Sequence, residues 1–284
     1  MAFFKQFPTQ SYDFNMDGVL QNVVDIYRSV RVEGSSMDNA AIYNNIQIRN
    51  GERPDRMSYR LYGNSDYYWT FFIINDHLHD GMSVWPMSQE DLHEYLNTEF
   101  SGYAISTFPT TEYNTDLGLR TFTDSLVGQF QLKEQVLGSV SGARATLFKK
   151  DLDLNQLIVK QDTTLNANDN SIAFLGDGDN ITEQIDGQLT GHSVATHRVW
   201  KYREAPHHYY LTGDEEKRPV TISEAFTTGA GNALAEGLSP MSSISYQSNQ
   251  AYMEELNSER SRIRVIAPKY IEQFVEDFEE LINE

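Results

Sequence analysis

The run YYWTFFII, at positions 67–74, contains too many large apolar side chains to stay in water, so whatever covers it determines the local fold. Helix signals precede it. Pro54 suits the first turn of a helix, where its missing N–H costs nothing, and Gly63 suits the C-terminal cap, where the backbone needs a positive φ. Asn64 or Ser65 can then cap a second helix by accepting a backbone N–H.

Two short helices are therefore predicted, one at 54–62 and one through the aromatic run, because the run does not alternate as a half-buried strand would. In the second helix one stripe is predicted to point inward, and it consists of Tyr68, Trp69, Phe72 and Ile73. Three side chains lie off that stripe and are expected to be exposed at a protein interface: Tyr67, Phe71 and Ile74.

The charge balance limits the partners of this chain. With a formal net charge of −19 over 284 residues, it is a poor match for the phosphates of nucleic acid and for an anionic membrane surface. The chain has no cysteine, which excludes disulfides, thiolate catalysis and cysteine-based zinc sites. No apolar run approaches the ~18 residues of a membrane span. The start, MAFFKQFPTQ, lacks the apolar core of a signal peptide, which predicts a protein made in a cytoplasm.

Short strands are predicted on both sides of the two helices. Ile46 and Ile48 alternate with polar residues, and SVWPMS at 83–88 is predicted as a second strand, followed by a capped helix in SQEDLHEYL. This order resembles the LysM module, on the residues Ile46-Gln47-Ile48, Gly51-Glu52, Leu61-Tyr62-Gly63, Trp69, Asn75 and Trp85-Pro86. The resemblance implies a groove for N-acetylglucosamine between the loops at 50–56 and 75–83. Both loops are charged and bulky, which favours a protein partner over a sugar.

Longer segments resemble the baseplate wedge family of contractile-tailed bacteriophages. They are FFKQFP near the N-terminus, DIYRSV, RPDRMSYRLYGNSDYYWTFFIIND with the WP that follows it, and YMEELNSERSRIRVIAPKYIEQFVEDFEELI near the C-terminus. The resemblance implies a structural protein of the virion tail baseplate that joins neighbouring wedges around the tail hub into a six-fold ring. It implies neither a cofactor nor catalysis.

The middle of the chain lies outside this resemblance and is predicted to be β-rich. Alternating runs such as QFQLKEQVL and SVATHRVWKY are separated by Gly, Asn and Asp clusters, the pattern of a small barrel or sandwich. A weak repeat at a spacing of 45 residues predicts two similar hairpins. It pairs Glu134, Val136, Val140 and Gly142 with Asp179, Ile181, Ile185 and Gly187.

The C-terminus is predicted to form an arm. SRIRVIA alternates as a strand, and Pro268 starts a helix with a regular apolar stripe. Because a helix of this length is not stable alone in water, its stripe is expected to lie on a neighbouring subunit or on its own module. The predicted interface residues of the arm are Ile263, Val265, Ile271, Phe274, Phe278 and Ile282.

No catalytic or metal constellation is predicted. His77 and His79 are interpreted as part of a polar loop, since a third metal ligand is not evident elsewhere. His207 and His208 are interpreted in the same way, as solvated or hydrogen-bonded side chains at a strand edge.

The sequence thus predicts an α+β protein with a LysM-like βααβ module, an inserted small β-barrel or sandwich and a C-terminal strand–helix arm. The predicted boundaries are an N-terminal extended arm (1–36), the LysM-like domain (37–105), the β-rich domain (106–211), a linker rich in Gly, Ser and Pro (212–247) and the C-terminal helix–strand–helix arm (248–284). The leading hypothesis is a structural wedge protein whose partners are other wedge subunits, neighbouring copies and tail hub or tube proteins. The alternative is a peptidoglycan-binding LysM module of a tail or cell-wall protein.

Overall fold

A computed structural model describes residues 7–16, 18–25, 42–107, 111–114, 119–122, 126–161, 173–176, 181–220 and 244–283. The chain divides into two compact units, one made of Met1–Leu92 with Glu255–Glu284 and the other of His93–Glu254. Helices and strands both occur, as an α+β class requires. No helix within the described ranges has the length and apolar character needed to cross a membrane.

The strands, in chain order, are β1 (Thr9–Tyr12), β2 (Gln21–Val24), β3 (Tyr43–Gln47), β4 (Tyr103–Thr107), β5 (Thr111–Asn114), β6 (Leu119–Phe122), β7 (Gln135–Gly138), β8 (Arg144–Asp151), β9 (Gln156–Gln161), β10 (Gln184–Gly187), β11 (Ser193–Lys201), β12 (Pro206–Leu211), β13 (Ile244–Ser248) and β14 (Arg262–Ile266). The helices are α1 (Pro54–Tyr62), α2 (Thr70–Ile74), α3 (Gln89–Glu99), α4 (Asn249–Arg260) and α5 (Ile271–Asn283). Short 3-10 segments include Ser65–Trp69, Asp76–Leu78 and Gly81–Val84.

Helix α1 begins and ends where its local signals indicate. Pro54 is its first residue, and Gly63, with a φ of 71°, closes it by donating its N–H to the last turn. Asn64 caps the following segment, because its Oδ1 accepts the N–H of Asp66 at 3.0 Å. The aromatic run starts as a 3-10 turn and becomes α-helical at Thr70. The prediction of two short helices is confirmed, with a tighter first half in the second one.

The strand predicted at 83–88 is wrong. Gly81–Val84 forms a 3-10 turn, and no strand follows it before α3. Pro86 has no N–H for a sheet ladder, and Trp85 is held differently, by donating its indole N–H to the carbonyl oxygen of Glu52 at 2.9 Å.

The partner of β3 comes instead from the far end of the chain. Strand β14 pairs with β3 in antiparallel register, so that Ile263 lies opposite Ile46 and Val265 opposite Asn44. The strand predicted in SRIRVIA is therefore present, but it is the second strand of the first unit and not part of a separate arm. A βααβ order exists here only when the C-terminal strand is counted.

The C-terminal helix also packs within the first unit. In α5, Phe278 lies with its ring centroid 4.6 Å from that of Trp69. The cluster around this pair contains Phe7, Val275 and Ile282 as further buried residues. A second cluster lies beneath the β3–β14 sheet and contains Ile48, Met57, Phe71, Leu78, Ile263 and Val265. The apolar stripe of α5 therefore has an intramolecular partner.

The second unit is built around a closed antiparallel barrel with the strand order β10-β11-β4-β9-β8-β7. Strand β4 pairs with both β9 and β11, so the barrel begins before the predicted boundary at position 106. Of the two predicted alternatives for the β-rich domain, a small barrel or a sandwich, the structure shows the barrel. Its core consists of Ile105, Val127, Phe130, Val136, Ala143, Ala145, Leu147, Leu157, Val159, Phe174, Ile185 and Val194.

The barrel contains an internal repeat, but its spacing is 49 residues and not 45. EQVLGSVSG at 134–142 corresponds to EQIDGQLTG at 183–191. In the pairing of β7 with β10, Val136 lies opposite Gly187, and Gly138 lies opposite Ile185. The repeat relates Val136 to Ile185 and Gly138 to Gly187, so each of these two pairs is equivalent to the other. The two segments are therefore related by a pseudo-two-fold axis. The predicted 45-residue register is wrong, because it paired Glu134 with Asp179 and not with Glu183, and Asp179 lies outside the described residues.

Each glutamate of the repeat holds the turn of the other copy. The Glu183 carboxylate accepts the Ser141 N–H and hydroxyl, both at 2.9 Å, and the Val140 N–H at 3.2 Å. The Glu134 carboxylate accepts the corresponding groups of the second turn, namely the Leu189 N–H at 3.3 Å, the Thr190 N–H at 3.2 Å and the Thr190 hydroxyl at 3.0 Å. Both carboxylates are buried, so these hydrogen bonds supply the partners that buried charged groups require.

The glycines of the repeat make room for the same carboxylates. A Cβ at Gly138 would lie 2.6 Å from Glu183 Oε2, and a Cβ at Gly187 would lie 2.7 Å from Glu134 Oε2. Both distances are shorter than real contacts allow. Each glycine therefore leaves the space in which the glutamate of the other copy binds the turn.

A smaller sheet of two strands follows the barrel. Strand β13 pairs with β12, so residues 244–247, which were predicted to lie in the linker, are part of a sheet. In β12, His207 stacks on Tyr252 with ring centroids 3.8 Å apart, and its Nδ1 lies 2.9 Å from Nδ1 of His208. Both histidines are hydrogen-bonded, as predicted, because Nε2 of His208 also lies 2.9 Å from the carbonyl oxygen of Lys217.

Acid is expected to destabilise the second unit through His207. Burial lowers the pKa of His207, with a further contribution from the charge of His208. The neutral His207 ring therefore contributes its full stabilisation to the fold above about pH 6.5, the pKa of histidine in the unfolded chain. This contribution is lost as the pH falls through the lower pKa of the folded state.

The measurement is the melting temperature between about pH 5 and 8. His207→Phe retains a ring on Tyr252 and should flatten the loss of stability on the acid side. His192→Gln, at an exposed histidine, is the matched control and should behave as wild type. An acid limb that is equally steep in His207→Phe would contradict the assignment.

Candidate protein-interaction surface

The aromatic run is covered on more sides than its helical stripe predicts. Phe71 is 0% exposed and Ile74 is 2% exposed, so the prediction that they are exposed is wrong. Phe71 lies against Tyr62 and Trp85 at centroid distances of 6.1 and 6.3 Å. Ile74 packs in a cluster with Ile266 and Ile271. The physical reason is that β14 and α5 cover the faces that a two-helix module would leave open.

The other residues predicted at the interface divide in a similar way. Five of the C-terminal residues are buried inside the first unit: Ile263, Val265, Ile271, Phe278 and Ile282. Of the two surfaces left open for these residues, a neighbouring subunit or the chain's own module, the structure shows the second, since the strand and helix that carry them complete the core of the first unit. Tyr67 and Phe274 are partly buried against these clusters. The exposed apolar side chains of the first unit therefore lie at other positions, among them Tyr12, Phe14, Met16 and Leu281.

The loop at 50–56, on one side of the groove that the LysM resemblance implies, is fixed by internal contacts. Arg60 donates two hydrogen bonds to the Glu52 carboxylate, at 2.7 and 2.8 Å, which lower the pKa of Glu52. Asn50 Oδ1 accepts the N–H of Gln89 at 2.8 Å. In the loop at 75–83, His77 and His79 are exposed, and the described residues contain no group of three or more metal-ligating side chains.

A polar groove lies along the β3–β14 sheet. It has a volume of about 590 Å³ and is lined by Asn45, Ile46, Gln47, Ile74, Asn75, Asp76, His77, Arg262, Ile263 and Arg264. Arg262 lies opposite Gln47 and Arg264 opposite Asn45, so these four side chains emerge from one face of the sheet. All four residues are exposed. Two guanidinium groups beside two amides form a surface that can bind carboxylates and backbone polar groups.

Asn75 closes one part of the edge of β14. Its Nδ2 donates to the carbonyl oxygens of Phe71 at 2.8 Å and Arg264 at 2.9 Å, and its Oδ1 accepts the N–H of Arg264 at 2.8 Å. The buried side chain thus takes the place of a neighbouring strand at Arg264. Asn75 is among the residues of the LysM resemblance, but its role depends on a strand 189 positions away, which no local pattern reveals.

The comparison with known families concerns the N-terminal third of the chain. Residues 2–102 match the model of a family described as base plate wedge protein 53. The match ends at Gly102, immediately before β4 of the barrel. It includes β3, α1 and α2, but neither the barrel nor β14 and α5. No curated protein matches the chain. The part of the chain that is similar to the phage baseplate wedge family thus carries the helices and one of the two strands at the centre of the first unit.

Proposed function

We propose that this protein is a structural component of a contractile phage tail baseplate. In this role it is a wedge protein that bridges neighbouring wedges and the tail hub through protein–protein contacts. The observation that carries the proposal is the match of residues 2–102 to base plate wedge protein 53. Similarity to that family supports a structural, non-enzymatic role in the virion tail.

The charge and the surface chemistry are consistent with protein partners. A net charge of −19 opposes binding to nucleic acid or to an anionic membrane. Most of the apolar residues that the sequence predicts at the interface are buried in the core of the first unit, so its contacts with other subunits involve other surface groups. The proposed partners are other wedge subunits, neighbouring copies in the ring, and hub or tube proteins.

The proposal is tested with a phage that carries a stop codon in the gene. Purified wild-type tails should contain the protein in their baseplates, as detected by mass spectrometry. Without it, electron microscopy should show tail intermediates that lack a closed baseplate, and expression of the wild-type gene in trans should restore normal tails. Complete baseplates in its absence, or tails that do not contain the protein, would contradict the proposed function.

No binding of N-acetylglucosamine oligomers is expected, in contrast to a peptidoglycan-binding LysM module. Arg60 is bound to Glu52 in one of the two loops, and the indole N–H of Trp85 donates to the backbone of the same residue. These groups are therefore not available to sugar hydroxyls. Calorimetric titration with a chitin oligomer should show no heat of binding, with a chitin-binding protein as positive control. A dissociation constant near or below about 1 mM would favour the peptidoglycan alternative.

A further inference from the structure

The outer edge of β3 has no strand beside it in the described part of the chain. Toward β14, Ile48 donates its N–H to the carbonyl oxygen of Ser261 at 2.8 Å, and the pairing continues through Ile46 and Asn44. In an antiparallel ladder the intervening residues direct their N–H and C=O groups the other way. For β3 these are Tyr43, Asn45 and Gln47, and no described residue forms a ladder with them.

This edge lacks the features that keep other edges from pairing. Natural edge strands are protected by lysine or other charges, by proline or by a bulge. The sequence of β3 is YNNIQ, without charge or proline, and its pairing with β14 has no register shift. In a chain with 22% charged residues, an uncharged edge that pairs with no described strand is a surface on which a further strand can be added.

The neighbouring strand determines the charge that such a partner must carry. Arg262 and Arg264 emerge on the same face as Asn45 and Gln47, and Arg262 forms no ion pair with any described residue. Adjacent strands lie about 4.8 Å apart, so a strand added beyond β3 would lie about 9.6 Å from β14, a distance that an arginine and a glutamate side chain can span together over β3. Carboxylates at alternate positions of an added strand would meet these guanidinium groups.

We propose that the outer edge of β3, with Arg262 and Arg264, binds an extended acidic segment of another protein as a third strand of this sheet. Backbone hydrogen bonds to Tyr43, Asn45 and Gln47 supply the pairing. Acidic side chains on the arginine-bearing face supply the specificity. The inference rests on the proposed function only in placing that protein in the baseplate.

The first test uses two synthetic peptides as probes, an acetylated Thr-Glu-Val-Glu-Val-Glu-Thr amide and its counterpart with lysine in place of glutamate. In fluorescence anisotropy the acidic peptide should bind the full-length protein at about 50 mM salt and lose at least about tenfold in affinity at 500 mM. The lysine peptide should not bind. Hydrogen exchange should show slower exchange of the Asn45 and Gln47 amides when the acidic peptide is bound.

Two variants separate the charge from the backbone. Arg262→Glu with Arg264→Glu should reverse the preference from the acidic to the lysine peptide. Asn45→Pro removes an outward N–H only and should abolish binding of both peptides while retaining the wild-type melting temperature. Asn44→Pro is its matched control, because it removes an N–H directed toward β14 and should lower the melting temperature instead. If Asn45→Pro itself unfolds, the charge reversal and the amide exchange decide the question.

Three outcomes would overturn the proposal. They are a wild-type protein that binds neither peptide, a charge-reversed variant that binds the acidic peptide unchanged, and a wild-type protein that dimerises through this edge, seen as a doubled mass that Asn45→Pro abolishes.

A phage that carries Arg262→Glu with Arg264→Glu provides the test in the assembled tail, where baseplate assembly should fail. Normal baseplates from this variant would overturn the docking role, whereas the stop-codon test of the proposed function would be unaffected.

Discussion

Replacing Trp69 with alanine is expected to lower the free energy of unfolding of the first unit by roughly 3–5 kcal/mol. Trp69 is 3% exposed and lies between the 3-10 segment that carries it and helix α5. The centroid of its ring lies 4.6 Å from the ring centroid of Phe278 and 6.4 Å from that of Phe274. Removing the indole leaves a cavity where parts of the chain more than 200 positions apart meet, and neighbouring helices cannot collapse to fill it completely.

Urea unfolding followed by circular dichroism measures the effect. Tyr59→Ala is the matched control, because Tyr59 is an aromatic residue of the same unit that is 67% exposed, and the variant should unfold close to wild type. A loss below about 1 kcal/mol in Trp69→Ala would show that α5 does not depend on this ring. That result would return the C-terminal helix to the role of an arm that lies on another subunit.

Glu183→Ala is expected to destabilise the barrel by roughly 3 kcal/mol or more. The carboxylate is 3% exposed and accepts the N–H groups of Val140, Ser141 and Leu175 as well as the Ser141 hydroxyl. Each donor that is left buried without an acceptor costs about 1–3 kcal/mol. Because of the pseudo-two-fold axis, Glu134→Ala should have an effect of similar size.

Thermal and urea unfolding of the full-length variants provide the measurement. Gln184→Ala is the control, since Gln184 is the exposed residue directly after Glu183 and the first residue of β10. If Glu183→Ala and Gln184→Ala unfold alike, the hydrogen bonds to the turn do not stabilise the barrel. If Glu183→Ala strongly destabilises the barrel and Glu134→Ala does not, the two halves of the repeat do not contribute equally to its stability.

The sequence by itself determined the features that depend on neighbours along the chain. Pro54 and Gly63 marked both ends of α1, because a missing N–H and a positive φ are properties of single residues at helix ends. Alternation of apolar residues indicated the strands at Ile46 and Ile263 and a barrel or sandwich in the middle, because successive side chains of a strand point to opposite faces. The family resemblance at the N-terminus was also carried by contiguous residues.

Only the tertiary structure decided which of these elements meet. Phe71 and Ile74 were predicted to be exposed because the helical pattern accounts for only one buried face of the helix. Strand β14 and helix α5, from the far end of the chain, cover further faces of the same helix. Nothing local distinguishes a C-terminal strand that completes its own sheet from one that extends a neighbour's, since both require the same alternation. The 49-residue repeat is defined by tertiary contacts, in which Glu134 and Glu183 each accept hydrogen bonds from the turn of the other copy. Burial of those carboxylates depends on closure of the barrel, which is a property of six strands together and of none alone.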